Sequence, residues 1–155
     1  MLNWIRTLLS PPRSIGAPRL IRSFGPGDPT ASPSRLPFDN GAWRLDCHER
    51  ESVNLFKIRD IGVLDRLLTY RAELRSENLV SPACLELLAH IPGRGELRSK
   101  GYHHAFQGDH EWRFFEVSLL VGGPHAPDLL KLNIASEGPG TIWIRNVKLL
   151  ATEVE

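Results

Sequence analysis

Apolar and polar residues alternate with a period of two along most of this chain. In residues 67–75, Leu68, Tyr70, Ala72 and Leu74 fall on one side and mainly polar residues fall on the other. This period is that of a β-strand with one buried face, because successive side chains of a strand point in opposite directions. Further strand-like runs occupy residues 42–47, 53–58, 84–91, 111–121 and 129–135. Together with a C-terminal run, they predict seven or more strands.

Clusters of turn-forming residues separate these runs. They lie at Asp39-Asn40-Gly41, Ser81-Pro82, residues 92–95, 122–124 and 137–140. Glycine, proline, asparagine and aspartate readily adopt the backbone angles of tight turns. Residues 60–79 also contain good helix formers, but the strict alternation at 68–75 favours a strand. Short strands between turns, without a long helical period, predict an all-β sandwich or jelly roll.

The C-terminal run begins with a Gly-Pro-Gly turn and continues to Leu150. Ile142 and Ile144 fall on one face, with Trp143 on the other. The alternation breaks at Arg145-Asn146 before it resumes, which predicts a β-bulge there, since a bulge inserts one extra residue into a strand. A strand in this position would complete a sheet built from the earlier strands.

Residues 1–38 have a different composition. They hold seven prolines and five arginines but one acidic residue, Asp28. Proline excludes long regular elements, so this segment is predicted to be an irregular or disordered tail, followed by one domain over residues 39–155. Residues 1–10 have helical spacing of apolar residues and predict a short helix, either a targeting or anchoring segment or an inert leader. They do not make a convincing secretory signal peptide, so the compartment stays open.

Bulk composition excludes some partners. The formal net charge is +1, which gives no electrostatic reason to expect a nucleic acid or an anionic membrane as partner. No apolar run approaches the roughly 20 residues of a membrane-spanning helix. Cys47 and Cys84 are too few for a disulfide framework; two buried small residues are expected, and a single bridge is the alternative.

Three stretches together resemble the galactose-binding-like β-sandwich domains, the jelly rolls that include many carbohydrate-binding modules. They are residues 68–75, residues 82–87 and the terminal Gly140-Thr141-Ile142-Trp143-Ile144-Arg145-Asn146-Val147-Lys148-Leu149. The resemblance covers about residues 40–151. It implies a jelly-roll fold and a non-catalytic module that binds a carbohydrate or a similar polyhydroxylated ligand. Because this fold also serves in protein assembly, a protein-interaction domain is the alternative.

The resemblance also implies a structural calcium ion near the end of the terminal strand. Family members often have an aspartate where this chain has Arg145, which argues against that ion. Asp39, Asp46 and Asp60 are other possible oxygen ligands. No cofactor is otherwise expected.

Several polar and aromatic residues would lie on strand faces that point away from the core. An indole ring can stack on the apolar face of a sugar, while charged and amide groups can bind its hydroxyls. The alternative is a solvated face with cross-strand ion pairs, with Trp143 in the core. The candidate ligand-binding residues are Arg71, Glu73, Glu86, His90, Trp112, Asn133 and Trp143.

A histidine-rich segment spans residues 102–111. A metal-dependent enzyme could use His103, His104 and His110, but neighbouring His103 and His104 would point to opposite faces of a strand. The chain has no Gly-x-Ser-x-Gly nucleophile elbow and no phosphate-binding loop ahead of a helix. We therefore expect neither a catalytic residue nor a metal site, and no enzymatic activity.

Overall fold

The computed structural model describes residues 14–61, 66–122 and 125–154. Nine strands and one short 3-10 helix, Tyr102–His104, make up its regular structure, and every strand pairing is antiparallel. The prediction of an all-β sandwich is confirmed. The strands are β1 Ser14–Phe24, β2 Phe38–Asp39, β3 Ala42–Cys47, β4 Glu51–Arg59, β5 Arg66–Ile91, β6 Gly95–Lys100, β7 Phe106–Val121, β8 Leu129–Ser136 and β9 Gly140–Val154.

The strand β5 belongs to both layers of the sandwich. Its first half, residues 66–77, lies between β7 and β9, and β9 also pairs with β3 and β1. Its second half, residues 83–91, lies between β8 and β6, and β8 also pairs with β4. In the first half, the even-numbered residues 68–74 belong to the core cluster. In the second half, the odd-numbered residues 85–89 belong to it, and their even-numbered neighbours do not. The inward face therefore changes parity where β5 crosses from one layer to the other.

The two layers enclose a single hydrophobic core. Leu68, Tyr70 and Leu74 from the first half of β5 belong to the same cluster as Leu85 and Leu87 from the second half. The predicted inward residues of 68–74, 130–134 and 142–144 are all at most 1% exposed at the alternating positions. Burial of these aliphatic side chains is the main force that holds the layers together.

Two local predictions are confirmed at the level of the backbone. Asn40 and Gly41, with φ of 52° and 80°, form the two-residue turn between β2 and β3. The bulge in β9 lies where its pairing with β5 shifts between Arg71 and Glu73, and Asn146 there has a φ of 53°. Asparagine tolerates this left-handed conformation better than most residues.

The prediction of an irregular tail is wrong for residues 14–24. They form strand β1, which pairs antiparallel with β9. Pro18 is accommodated because it lies in a register shift between Ile15 and Arg19, where a missing N–H breaks no regular ladder. Residues 25–37 form no strand. The predicted helix at residues 1–10 lies outside the described residues.

Ser81-Pro82 is not a turn between two strands, as the sequence predicted, but part of β5. The Ser81-Pro82 pair does mark a break in the regular pairing of β5. At this point β5 crosses from one layer of the sandwich to the other. Cys47 and Cys84 are free and buried, as predicted, and burial raises the pKa of both thiols. Among the described residues, no helix has the length and hydropathy needed to cross a membrane.

The crossing of β5 is packed tightly against the start of β9. Asn78 has a φ of 54°, and its N–H donates to Asp109 Oδ1 at 2.6 Å. Gly140 has a φ of 147°, and a Cβ there would lie 2.5 Å from Leu79 Cα and 2.8 Å from the Asn78 carbonyl oxygen. Backbone atoms cannot move aside as a flexible side chain can, so only glycine fits at position 140.

We predict that Gly140→Ala lowers the free energy of unfolding by about 2 kcal/mol or more, because it adds both a clash and backbone strain. Chemical denaturation followed by tryptophan fluorescence measures this. Gly27→Ala is the matched control, since a Cβ there meets nothing within 4 Å. Equal effects of the two substitutions would contradict this account of the crossing.

Candidate ligand-binding site

The seven candidate residues do not form one surface. Arg71, Glu73, Trp112 and Trp143 lie on the outward side of the layer formed by β7, β9 and the first half of β5. Glu86, Asn133 and His90 lie on the outward side of the other layer, on β8 and the second half of β5. The expectation that all seven gather is therefore wrong, because β5 carries its outward residues to opposite faces of the sandwich.

The first of these surfaces, here called the aromatic face, consists of the outward residues Arg71, Glu73, Arg75, Trp112, Phe114, Trp143 and Arg145. Its aromatic rings are stacked against arginine side chains. The guanidinium carbon lies 4.4 Å from the ring centroid in the pairs Arg71–Phe114 and Arg75–Trp143, and 3.8 Å away for Arg145 over Trp112. These are cation–π contacts, and each covers one side of its ring. Trp143 is half-buried on this face and not in the core.

Two side chains of β9 bind Glu73 on the aromatic face. Its Oε1 accepts hydrogen bonds from Arg145 Nε and Asn146 Nδ2, both at 2.8 Å. The hydrogen bond from Arg145 is the main cause that lowers the pKa of Glu73, and the bond from Asn146 adds to it. Arg71, in contrast, lies over a ring and pairs with no carboxylate among the residues that the structure describes. One of the cross-strand ion pairs predicted for this face is therefore present, between Glu73 and Arg145.

Glu86 lies on the opposite face and is only 2% exposed. Its Oε1 accepts hydrogen bonds from Ser52 Oγ at 2.9 Å and from Asn133 Nδ2 at 2.8 Å. Asn133 Oδ1 in turn accepts a bond of 2.7 Å from Asn54 Nδ2. Buried carboxylates are costly unless they are paired and hydrogen-bonded, so this network fixes three strands side by side.

The other oxygen of Glu86 faces two cations. Oε2 lies 3.7 Å from Lys100 Nζ and 3.9 Å from Arg98 Nε, and it accepts no hydrogen bond within the part of the chain that the structure describes. Lys100 and Glu86 are register partners in β6 and β5, which explains their proximity. The carboxylate therefore anchors the Lys100 side chain at the edge of this surface.

Two adjoining cavities lie next to Lys100, where the outward face of this layer meets the crossing of β5. One is polar, with a volume of about 240 Å³, and its lining includes Arg50, Glu51, Ser52 and Ser136. The other is apolar, with a volume of about 190 Å³, and its lining includes Pro82, Cys84 and Ala105. Lys100, Ala135 and Glu137 line both cavities, and we call the two together the Lys100 groove, with a polar and an apolar part.

Tyr102 forms one wall of the apolar part and is 66% exposed. Its ring centroid lies 5.7 Å from Lys100 Nζ. Glu137 also lines the groove and is paired with Arg50 at 3.1 Å. The Lys100 groove thus presents a ring, an ammonium group and a carboxylate around an apolar floor, a combination suited to a small ligand with both apolar and hydroxyl groups.

The sequence analysis did not identify Lys100, Tyr102 or Glu137 as site residues. Tyr102 and Glu137 lie in connecting segments, and periodicity does not show which strand ends meet. The hairpin turn at residues 92–95 was a usable signal, because pairing outward from it brings Lys100 opposite Glu86.

His90 lies outside this groove. Its Nδ1 is 2.7 Å from Asp128 Oδ1 at the far end of β5. Six residues separate it from Cys84, which corresponds to roughly 20 Å along a strand. The position of His90, away from the Lys100 groove, does not support its predicted role in ligand binding.

The histidine-rich segment makes contacts within the fold. His104 Nδ1 accepts a 3.3 Å bond from the Glu116 N–H, and the rings of His104 and His110 lie 4.8 Å and 5.5 Å from that of Phe115. Residues 14–61, 66–122 and 125–154 contain no group of three His, Cys, Asp or Glu that could hold a metal ion. Asp46, a possible calcium ligand, instead contacts Arg44 at 3.4 Å and accepts a hydrogen bond from Thr141.

Comparison with known proteins identifies the fold. No protein-family model and no curated protein sequence matches this chain. The xylan-binding CBM22-1 domain of Xyn10C from Paenibacillus barcinonensis is similar, with a TM-score of 0.57 over 92% of this chain and 100% of that domain at 10% identity. CBM29_1, a family 29 carbohydrate-binding module from Piromyces equi, gives 0.47 over 84% and 80% at 12% identity. The chain has the jelly-roll fold of carbohydrate-binding modules.

We predict a pH-dependent stabilisation by Glu73. Because folding lowers the pKa of Glu73, its contribution is fully present above the ordinary value of 4.5 and is lost as the pH falls through the folded value. Glu73→Gln should lower the free energy of unfolding by about 1 kcal/mol at pH 7, and by progressively less below pH 4.5.

Denaturant titrations from pH 3 to pH 7 measure this difference. Glu116→Gln, an exposed position on the neighbouring strand, is the control and should have little effect at any pH. A Glu73→Gln effect that stays constant over the whole range would contradict the assigned ion pair.

Proposed function

We propose that the protein is a non-catalytic carbohydrate-binding module whose ligand lies in the Lys100 groove. The observation that carries the proposal is the groove itself, with an exposed aromatic ring, an anchored ammonium group and a carboxylate around an apolar floor. Sugars have both an apolar C–H face and a rim of hydroxyls, so they need such a mixture.

Each wall of the groove has a defined role in this proposal. The ring of Tyr102 packs against an apolar C–H surface of the ligand. Lys100 Nζ donates hydrogen bonds to ring or hydroxyl oxygens, while Glu137 accepts them from hydroxyl groups. Ser52, in the polar part, donates its proton to Glu86, so its oxygen can accept a hydrogen bond from a sugar hydroxyl.

The Glu86 network supports the proposal by pre-organising the groove. Lys100 is only 20% exposed in its side chain and is held near Glu86 Oε2 before any ligand arrives. Glu86 is itself fixed through Ser52 and Asn133. A binding group that is already in position loses less conformational entropy on binding, which favours affinity. Glu86 and Asn133 therefore act on the ligand through Lys100.

The aromatic face is a weaker candidate for sugar stacking. Its rings already carry guanidinium groups at 3.8 to 4.4 Å, which occupy one side of Trp112, Phe114 and Trp143. At Trp112, a sugar on that side would have to displace Arg145, which also pairs with Glu73. The role of Arg71, Glu73, Trp112 and Trp143 in ligand binding stays a prediction.

The fold is compatible with this function without specifying the ligand. The chain shares it with a domain described as xylan-binding, but at 10% identity the likeness extends to the fold alone. The absence of a nucleophile elbow from the sequence agrees with a non-catalytic role.

Isothermal titration calorimetry against a panel of plant, fungal and bacterial polysaccharides tests the proposal. We expect at least one glycan to bind, and Tyr102→Ala to weaken that binding by about tenfold or more, because a stacking platform is lost. Trp112→Ala is the matched control on the opposite face and should bind as the unmodified protein does.

Thermal unfolding of both variants checks that they are folded. If no glycan binds, the proposed function is wrong. If a glycan binds and Trp112→Ala abolishes binding while Tyr102→Ala does not, the function stands but the site lies on the aromatic face.

A protein-interaction domain remains a second candidate, favoured by the composition of the aromatic face. Phe114 is 47% exposed beneath Arg71, and tryptophan and arginine are the residues that contribute most at protein interfaces. Under this candidate, Phe114→Ser abolishes capture of the partner in a pull-down, and Tyr102→Ala leaves it unchanged. The opposite pattern rules it out.

A further inference from the structure

We propose that the Lys100 groove selects a sugar that carries a short acyl group, with the acyl group in the apolar part and the sugar ring in the polar part. This inference rests on the proposed function. It follows from the division of one groove into two parts of different chemistry, which share Lys100, Ala135 and Glu137.

The apolar part is unsuited to an unsubstituted sugar. Besides Lys100, Tyr102 and Glu137, it is lined by Pro82, Ala83, Cys84, Ala105 and Ala135, which offer carbon atoms and one buried thiol. Burial raises the pKa of Cys84, so its sulfur stays in the neutral, weakly polar form. A sugar hydroxyl placed among Pro82, Cys84 and Ala105 would exchange water for neighbours with few hydrogen-bonding groups, which is unfavourable. A methyl group placed there would gain by leaving water.

Lys100 stands at the boundary between the two parts. An ammonium group can only donate hydrogen bonds, and the carbonyl oxygen of an ester or amide can only accept them. With the carbonyl oxygen at Lys100 Nζ, the acyl carbon chain points into the apolar part beside Tyr102. The sugar ring then lies toward Ser52 and Arg50.

The size of the groove is consistent with such a ligand. The apolar part, about 190 Å³, has room for a group of a few carbon atoms, and the polar part is about 240 Å³. A bare sugar ring would leave the apolar part unfilled.

Paired polysaccharides test this inference. Acetylated xylan, acetylated glucomannan and other O-acetylated members of the glycan panel are each measured by calorimetry before and after mild alkaline removal of the acetyl groups. We expect the acetylated form to bind about tenfold more tightly or better, the size of discrimination that a small apolar group provides.

A variant that fills the apolar part of the groove tests whether the acetyl group binds there. Ala105 is exposed and lines the apolar part, so Ala105→Leu narrows it with little risk to folding. This variant should lose the preference for acetyl groups while it keeps its affinity for the deacetylated form. Ala17→Leu, at an exposed alanine on β1, is the control and should keep the preference.

The outcomes separate the two proposals. Equal binding of acetylated and deacetylated forms overturns the acyl inference and leaves the carbohydrate-binding function in place. Binding of neither form overturns the proposed function and the inference with it. A preference that survives Ala105→Leu means that the acetyl group lies elsewhere, which also overturns the inference.

Discussion

The crossing of β5 between the two layers is the constraint on which the rest of this structure depends. One continuous strand pairs with β7 and β9 over its first half and with β8 and β6 over its second. The crossing requires the left-handed Asn78 and the close approach of Gly140 to Leu79. Because the inward face changes parity there, Glu73 and Glu86 point to opposite sides of the molecule. The two outer faces could therefore acquire different chemistries.

We propose different functional roles for the two faces. On the aromatic face, the charged and aromatic groups contact each other. Arginine side chains cover the rings, and Arg145 also forms an ion pair with Glu73. On the other face, a single buried carboxylate organises its neighbours and leaves Lys100 anchored beside an open groove. A pre-organised donor beside an unfilled concavity is a better basis for ligand binding than a face whose polar groups are already paired.

Sequence patterns predicted much of the fold but little of the site. The buried positions in residues 68–74, the Asn40-Gly41 turn and the bulge near Asn146 all follow from local rules of alternation and backbone preference. The strand β1 and the continuity of β5 through Ser81-Pro82 could not be predicted this way, because pairing with distant strands overrides local composition. The site depends on which strands are neighbours and on which side their residues point. A list of outward residues therefore merged two faces into one, and it omitted Lys100 and Tyr102.

We propose that the ligand occupies the Lys100 groove and not the aromatic face. The most direct measurement is a two-dimensional ¹H–¹⁵N NMR titration of the labelled protein with the glycan that binds in calorimetry. The account predicts the largest chemical-shift changes at the backbone amides of Lys100, Tyr102 and Ala135, with the indole N–H signals of Trp112 and Trp143 unchanged. Large shifts at those two indoles, with none at Lys100 or Tyr102, would contradict it.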